Sequence, residues 1–410
     1  MIRVLIIVLA MIMAPVQGQG FEAPTIQVEN RASYFTHRNT GTNALSVEAT
    51  WESVKLARGV FFTINPYARY ESDVVEPTVR RVNDNTPQQP AFGFHGLYVD
   101  VSKVVIPVLN QLPGSGRLRV GWQLPEWGVT DRITPTNLLA AHDYTDVTLD
   151  DRRVSQLGVS AKWAFDNKRY TMEFVGLSFT PARIPEHGPW GVKPAGVTFV
   201  RRLPTSLGVG DGLQVGARGC YNGMFNACLM MTAGRDKLFF TRPLSPTIVE
   251  LVYPQMRGYG GDFLYRLPKG FIYRLEGVYR DYDGAIGEDY GEIATSLERI
   301  WGDNIFTLVE YVRQVPKRVD ANDIHCVFSE AVLGRVGYGN EVDGWYGQVE
   351  GAANIDPNAF IVEATVTGPT PLEGLRFKIG YRVVDGSLRN LIGAYFRDSD
   401  GLFLDLVWRR

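Results

Sequence analysis

The chain has 410 residues, with 42 basic against 44 acidic side chains, 12% aromatic residues and 43 glycines. Near-neutral charge without a basic stripe or an acidic tail argues against a nucleic-acid partner and against a disordered solvating segment. Abundant aromatics together with abundant glycine suit β structure, where rings pack on pleated faces and glycines occupy turns and bulges.

The first twenty residues, MIRVLIIVLAMIMAPVQGQG, carry Arg3, an apolar run from Val4 to Met13, and then small and polar residues. This is the form of a secretory signal peptide, with cleavage after Gly18 or Gly20. As a membrane anchor the run is too short to span a bilayer comfortably. No cysteine lies beside the cleavage point to carry an N-terminal lipid. Beyond residue 20 no apolar stretch reaches the length of a transmembrane helix. The exported segment 21–410 is then either soluble or a β-barrel, the other structure that satisfies its backbone inside lipid.

The segment GRLRVGW sets Leu118, Val120 and Trp122 on one side, with period two. It leads into PEWGVTDRITPTNLLAAHDY, residues 125–144, a connection of roughly thirty residues before the next strand pair begins near Val154; connections of that length are uncommon without a role. Folded inward, it would bring Glu126, Trp127, Asp131, His142 and Asp143 to a constriction; folded outward, they would be surface residues. Further on, Cys220 and Cys228 bracket YNGMFNA. Asn222-Gly223 is a two-residue hairpin signal. That register sets Cys220 opposite Phe225 and leaves Cys228 about 10 Å along the strand, beyond disulfide reach of about 7 Å between Cα atoms. A disulfide between Cys220 and Cys228 therefore requires a wider loop, and the exported setting favours the disulfide. Cys326 is left over.

FIYRLEGVYR alternates Phe271, Tyr273, Leu275 and Tyr279 with Arg274, Glu276 and Arg280. FIVEATVT, LRFKIGYRV and GLFLDLVWRR repeat the pattern to the end of the chain. Strict alternation over eight or so residues indicates half-buried strands and excludes amphipathic helices. Pro268-Lys269-Gly270, Gly302-Asp303-Asn304, Asp356-Pro357-Asn358, Asp385-Gly386 and Asp398-Ser399-Asp400 punctuate the runs as turns. Strand candidates of about nine to twelve residues match tilted membrane strands. The length then predicts one all-β antiparallel transmembrane barrel of about sixteen strands, an even number in the range of roughly 14–18. Periodicity does not separate this barrel from a soluble sandwich; the leader, the strand length and aromatic endings such as Tyr381, Tyr395, Phe396 and Trp408 favour the barrel. In that barrel Arg266, Arg274, Glu276, Arg280, Glu298, Glu310, Arg376, Lys378 and Arg382 face the lumen. Charges of both signs there either select solutes or pair across neighbouring strands.

Five histidines, His37, His95, His142, His187 and His325, stand in no zinc-protease spacing. Asp143, Asp146, Asp150 and Asp151 lack the spacing and glycine of a calcium loop. No nucleophile elbow, Walker loop or dinucleotide fingerprint occurs. The sequence thus predicts no catalytic residues, no metal and no cofactor.

The most specific stretch runs from Gly96 to about Pro185. Its Gly121, Gln123, Trp127, Gly128, Asp131, Pro135, Thr136 and Asn137, with Tyr144-Thr145-Asp146 and Phe179-Thr180-Pro181, resemble the Gram-negative outer-membrane barrels related to alginate-export porins. The chain departs from that pattern at Asn137, where an acid is frequent, and in ending Trp408-Arg409-Arg410 instead of on an aromatic residue. The resemblance implies an outer-membrane channel or passive transporter, with lipid, a small polar solute and the barrel-assembly machinery as partners, and implies no particular substrate. Two other classes stay open: a plugged barrel with a structural role, and a soluble exported β-sandwich that binds or hydrolyses.

Overall fold

The computed structural model describes residues 24–36, 40–71, 91–103, 113–144, 153–165, 168–184, 192, 196–201, 212–284, 287–318, 320, 323–340, 344–397 and 399–409. The leader and the run Thr145–Asp151 considered above lie outside them.

The strands follow in chain order. The first five are β1 (Thr25–Phe35), β2 (Thr40–Ala57), β3 (Val60–Glu71), β4 (Ala91–Ser102) and β5 (Ser115–Gln123), and the connection after β5 carries the short pair β6 (Ala141–His142) and β7 (Arg153–Val154). Next come β8 (Gln156–Phe165), β9 (Tyr170–Ser178), β10 (Thr198–Arg201), β11 (Leu213–Asn222), β12 (Asn226–Arg235), β13 (Phe240–Ser245) and β14 (Ile248–Val252). The remainder is β15 (Gln255–Arg266), β16 (Phe271–Tyr282), β17 (Tyr290–Trp301), β18 (Ile305–Val315), β19 (Glu330–Gly339), β20 (Tyr346–Asn354), β21 (Ala359–Pro369), β22 (Leu375–Gly386) and β23 (Gly401–Arg409).

Leaving out β6, β7, β10, β13 and β14, the other 18 strands form one sheet, each antiparallel to its neighbours. β1 pairs with β23 from Gln27 opposite Arg409 to Phe35 opposite Gly401, so the sheet closes on itself. A soluble two-sheet sandwich is thereby ruled out. The described strands of the closed sheet number 18 instead of about sixteen, because one rim of the barrel is built from tight connections, such as 58–59, 223–225 and 302–304, which leave more chain for strands.

Side-chain direction follows from the period of two. In β18, Leu308, Glu310, Val312 and Gln314 are buried inside, while Val309 between them is 57% exposed outside. The outer faces carry Leu229, Met231, Leu275, Ile293, Val336 and Ile379 in the same way. An apolar belt on that scale is far larger than the patches soluble monomers tolerate, and lipid is the solvent that suits it. No helix among the described residues is long and apolar enough to cross a membrane.

The long connections gather at the opposite rim and fold over the barrel mouth. β14 pairs with β10 and β13 in a small sheet there. A helical turn at Ile324–Cys326 and a π-helical turn at Ile392–Phe396 join it. Phe179, Phe239, Leu251, Leu391 and Phe396 from these connections pack onto the inward side chains Val312, Leu333, Ile361 and Val384 as one apolar cluster.

Candidate functional site

The segment 124–144 folds inward. It leaves β5 and reaches the far wall, where three carboxylates on alternate strands receive it. Glu276 of β16 accepts hydrogen bonds from the Thr130 amide at 2.5 Å, the Thr130 hydroxyl at 2.6 Å, the Thr136 hydroxyl at 2.6 Å and the Thr136 amide at 3.2 Å, and from the Val129 amide. Glu310 of β18 accepts from the Ile133 amide at 2.9 Å and the Asp131 amide at 3.2 Å. Glu350 of β20 takes the Arg132 guanidinium, while Arg335 of β19 meets Asp131 at 2.8 Å. A buried backbone without secondary structure leaves amides that need acceptors. Inward carboxylates on the facing strands supply them.

This geometry explains the Trp-Gly…Pro-Thr-Asn string. Trp127 is 2% exposed, and a Cβ on Gly216 of β11 would lie 2.6 Å from its ring, so that glycine makes room for it. Gly128 has φ +106°, and a Cβ there would stand 2.9 Å from the Glu276 carboxylate. Positive φ and close approach both call for glycine at that position. Asn137 accepts the Trp127 amide through Oδ1 at 3.4 Å and so ties the two ends of the string together.

Between this segment and strands β1–β4 lies a polar cavity of about 840 Å³. Acidic Glu29, Glu48, Glu126 and Asp143 and basic Arg69 and Arg183 line it. Asp143 is held by Arg183 at 3.5 Å and Arg69 at 3.6 Å. Burial works against the Arg183 guanidinium, yet Tyr67 and Asp143 beside it raise its pKa on balance. His95 stacks on Tyr67, 4.4 Å between ring centres, at the edge of the same space.

The five candidate constriction residues thus separate. Glu126 and Asp143 come together on the polar cavity. Trp127 is an anchor against the wall, and Asp131 is tied to Arg335. His142 pairs through its backbone with Arg153 and lies on a second, apolar cavity.

The lumen candidates mostly pair between adjacent strands. Arg274 meets Glu298 at 2.6 Å, Arg280 meets Glu292 at 2.9 Å, and Arg382 meets Glu363 at 2.6 Å with Lys378 at 3.7 Å from the same carboxylate. Arg376 donates to the Gly344 carbonyl at 2.7 Å. Arg266 is exposed at the end of β15, away from the tether. Sequence reasoning missed Arg335, Glu350, Arg69 and Arg183. The alternation in EAVLGRVGYG and YGQVEGAAN carried a signal for the first two, whereas Arg183 lies on a connection without periodicity.

Cys220 and Cys228 stand directly opposite one another on β11 and β12 and form a disulfide facing the interior. The hairpin turn is 223–225, with Asn222 opposite Asn226, so the Asn-Gly pair does not centre a two-residue turn. The bond lies near the rim of tight turns, not in a long loop.

Two of the mouth connections are clasped by buried charges. His325 places Nδ1 2.6 Å from Asp323 and Nε2 3.1 Å from Asp236, and Phe240 stacks on its ring at 4.3 Å. Burial would lower the imidazole pKa, but Asp236 and then Asp323 outweigh it and raise it to about 9. Both carboxyls are correspondingly held below their usual range despite burial, Asp236 by the His325 charge and Asp323 by its hydrogen bond to His325. At neutral pH the group is an imidazolium between two carboxylates.

No family model and no curated protein matches the chain. Solved structures do. OccK5 (OpdH) of Pseudomonas aeruginosa is 12% identical over 94% of this chain and 97% of its own, with a TM-score of 0.55. OccK3 (OpdO) of the same organism is 12% identical over 95% and 96%, with a TM-score of 0.52. A BenF-like porin from Pseudomonas fluorescens Pf-5 is 10% identical over 94% and 98%, with a TM-score of 0.53. Over nearly its whole length this chain has the fold of Gram-negative outer-membrane porins.

Proposed function

We propose that the chain is an outer-membrane channel that passes small polar solutes passively, along the polar side of the barrel between segment 124–144 and strands β1–β4. The observation that carries this reading is the tether on Glu276, Glu310 and Glu350. It fixes the segment across the lumen and leaves a passage bordered by charges of both signs on one side only. The porin fold and the apolar outer belt support residence in the outer membrane, reached through the leader at residues 1–20. Lipid and the barrel-assembly machinery are the remaining partners, and no reaction is assigned. Net flow in either direction, uptake or export, follows the solute gradient. Kinship with the alginate-export porins rests on the motif in residues 121–146 and names no solute.

Reconstitution into planar bilayers tests the reading. Discrete conductance steps are the expected result, with weak cation selectivity because four carboxylates, Glu29, Glu48, Glu126 and Asp143, line the space against three guanidiniums, Arg69, Arg153 and Arg183. The apolar cluster over the mouth favours a second reading, a plugged barrel of structural role. A barrel with heat-modifiable gel mobility that never conducts would support the plug and overturn the channel. N-terminal sequencing of the membrane-extracted protein checks cleavage after Gly18 or Gly20.

A further inference from the structure

The interior holds another cavity, about 280 Å³, between segment 124–144 and the wall formed by β15–β22, beneath the mouth connections. Its chemistry is the opposite of the polar passage. Leu138 of the segment, Leu333, Ile361 and Val384 of the strands, and Leu391 and Phe396 of the mouth give it apolar walls. The charged side chains along it are neutralised in place. Arg280 is paired with Glu292 at 2.9 Å, Arg132 with Glu350, and His325 with Asp236 and Asp323. Lys237 is the exception: it donates to Gln156 at 2.6 Å, and burial lowers its pKa to about 7, so at neutral pH it keeps part of its charge.

Two polar side chains on the cavity are incompletely bonded. Asn137 is 4% exposed and its Nδ2 has no partner; Gln314 is 2% exposed and its Oε1 has none. A buried amide donor or acceptor without a partner is destabilising until a ligand atom supplies one. The volume is at the small end of ligand pockets, which run from roughly 300 Å³ upward.

We propose that this cavity is a binding site for a small uncharged solute with an apolar body, such as one ring, and a single hydrogen-bonding head taken by Asn137 or Gln314. An ionised head would be desolvated against walls whose charges, Lys237 apart, are already paired; a cation would find no counter-ion, and an anion only that partly charged amine. The site does not depend on conduction, so a silent barrel in the bilayer experiment leaves it standing.

Three probes with one ring and different charge test it: benzyl alcohol, benzylamine and benzoate. Each is titrated against the folded full-length protein in detergent micelles by saturation-transfer NMR, with protein-free micelles as the blank. The expected result is saturable binding of benzyl alcohol, at least about tenfold tighter than either charged probe, a gap of about 1.4 kcal/mol. Asn137→Leu should weaken it several-fold, and Ala182→Phe, which fills the cavity, should abolish it. Heat-modifiable gel mobility verifies that both variants are folded. Equal binding of all three probes, preference for a charged one, signal no greater than in empty micelles, or unchanged affinity in both folded variants would each overturn the site. The ranking of probes on the unmodified protein tests the idea even if a variant misfolds.

Discussion

Glu276 and Thr130 meet across the lumen, one carboxylate oxygen taking both the backbone amide at 2.5 Å and the hydroxyl at 2.6 Å of the threonine. They are 146 residues apart in the chain. The contact decides where the inward segment rests, and so how wide the polar cavity beside it is.

Replacing Glu276 by Leu strands the amides and hydroxyls it now accepts, at a cost of about 1–3 kcal/mol for each buried group left unmade. The wall strand itself keeps its backbone ladder. The expected outcome is a barrel that still forms, with larger and noisier single-channel conductance. Glu276→Leu together with Glu310→Leu should exceed either alone. Unchanged conductance in the double variant would mean that the segment does not border the passage.

The barrel seam depends on another pair. Arg31 of β1 donates to both oxygens of Asp405 on β23, at 2.7 and 2.9 Å, with both side chains nearly buried. Asp405→Ala takes away the two short bonds of a nearly buried guanidinium and leaves it the longer contact with Glu29 at 3.7 Å, at a cost of about 3 kcal/mol. The double replacement Arg31→Met with Asp405→Leu should recover most of that loss. Urea unfolding of the four proteins measures it; additive losses would show that the pair acts independently.

The clasp at His325 makes stability depend on pH. Its folded pKa, about 9, lies above the ordinary 6.5. The contribution is therefore complete below about pH 6.5 and fades as pH rises through 9. Asp236 and Asp323 are shifted the other way from 3.8, so their contribution holds above that value and is lost as pH falls. Thermal midpoints should be highest between about pH 4 and 6.5 and should decline toward pH 9 by an amount on the order of 3 kcal/mol in stability. His325→Gln should lower the midpoint and flatten the alkaline decline; a decline of full size in that variant would assign it to other groups.

Cysteine labelling separates the three thiols. Cys326 is buried, and burial raises its pKa to about 12, so it should resist iodoacetamide until the protein is unfolded. After reduction, native protein should take label first at half-buried Cys220, with Cys228 and Cys326, both buried, slower. Reduction should lower stability by about 2–3 kcal/mol, the chain-entropy expectation for a short loop, while the neighbouring strands hold the hairpin in place. Mass spectrometry of the labelled peptides reads out both parts.

The alternation in β16, β21 and β22 was enough to assign strands and to split each into an apolar and a polar face, because pleating alone imposes it and needs no distant partner. Glu276 and Glu310 could be placed on polar faces in this way, but not recognised as the acceptors for segment 124–144. Asn222-Gly223 offered a two-residue turn that the favoured disulfide excluded, and the structure takes the disulfide, with cross-strand pairing along β11 and β12 outweighing the local preference of two residues. Glu126, Trp127 and Asp143 were grouped with His142 and Asp131 by proximity in the chain; the first three border the polar cavity, His142 shares the apolar cavity with Asp143, and Asp131 is drawn to Arg335.

By itself, then, the sequence determined strands with one apolar and one charged face, a property written in a period of two that each strand carries alone; the closure of the sheet through β1 and β23 decided that the apolar faces point outward. Only the tertiary structure decided that segment 124–144 turns inward, which carboxylates seize it, and that the interior holds a polar cavity and an apolar one. Those outcomes depend on contacts between residues as far apart as Arg132 and Glu350, 218 positions along the chain. No local pattern encodes such a meeting. It exists only once the closed sheet has brought the two walls to face each other.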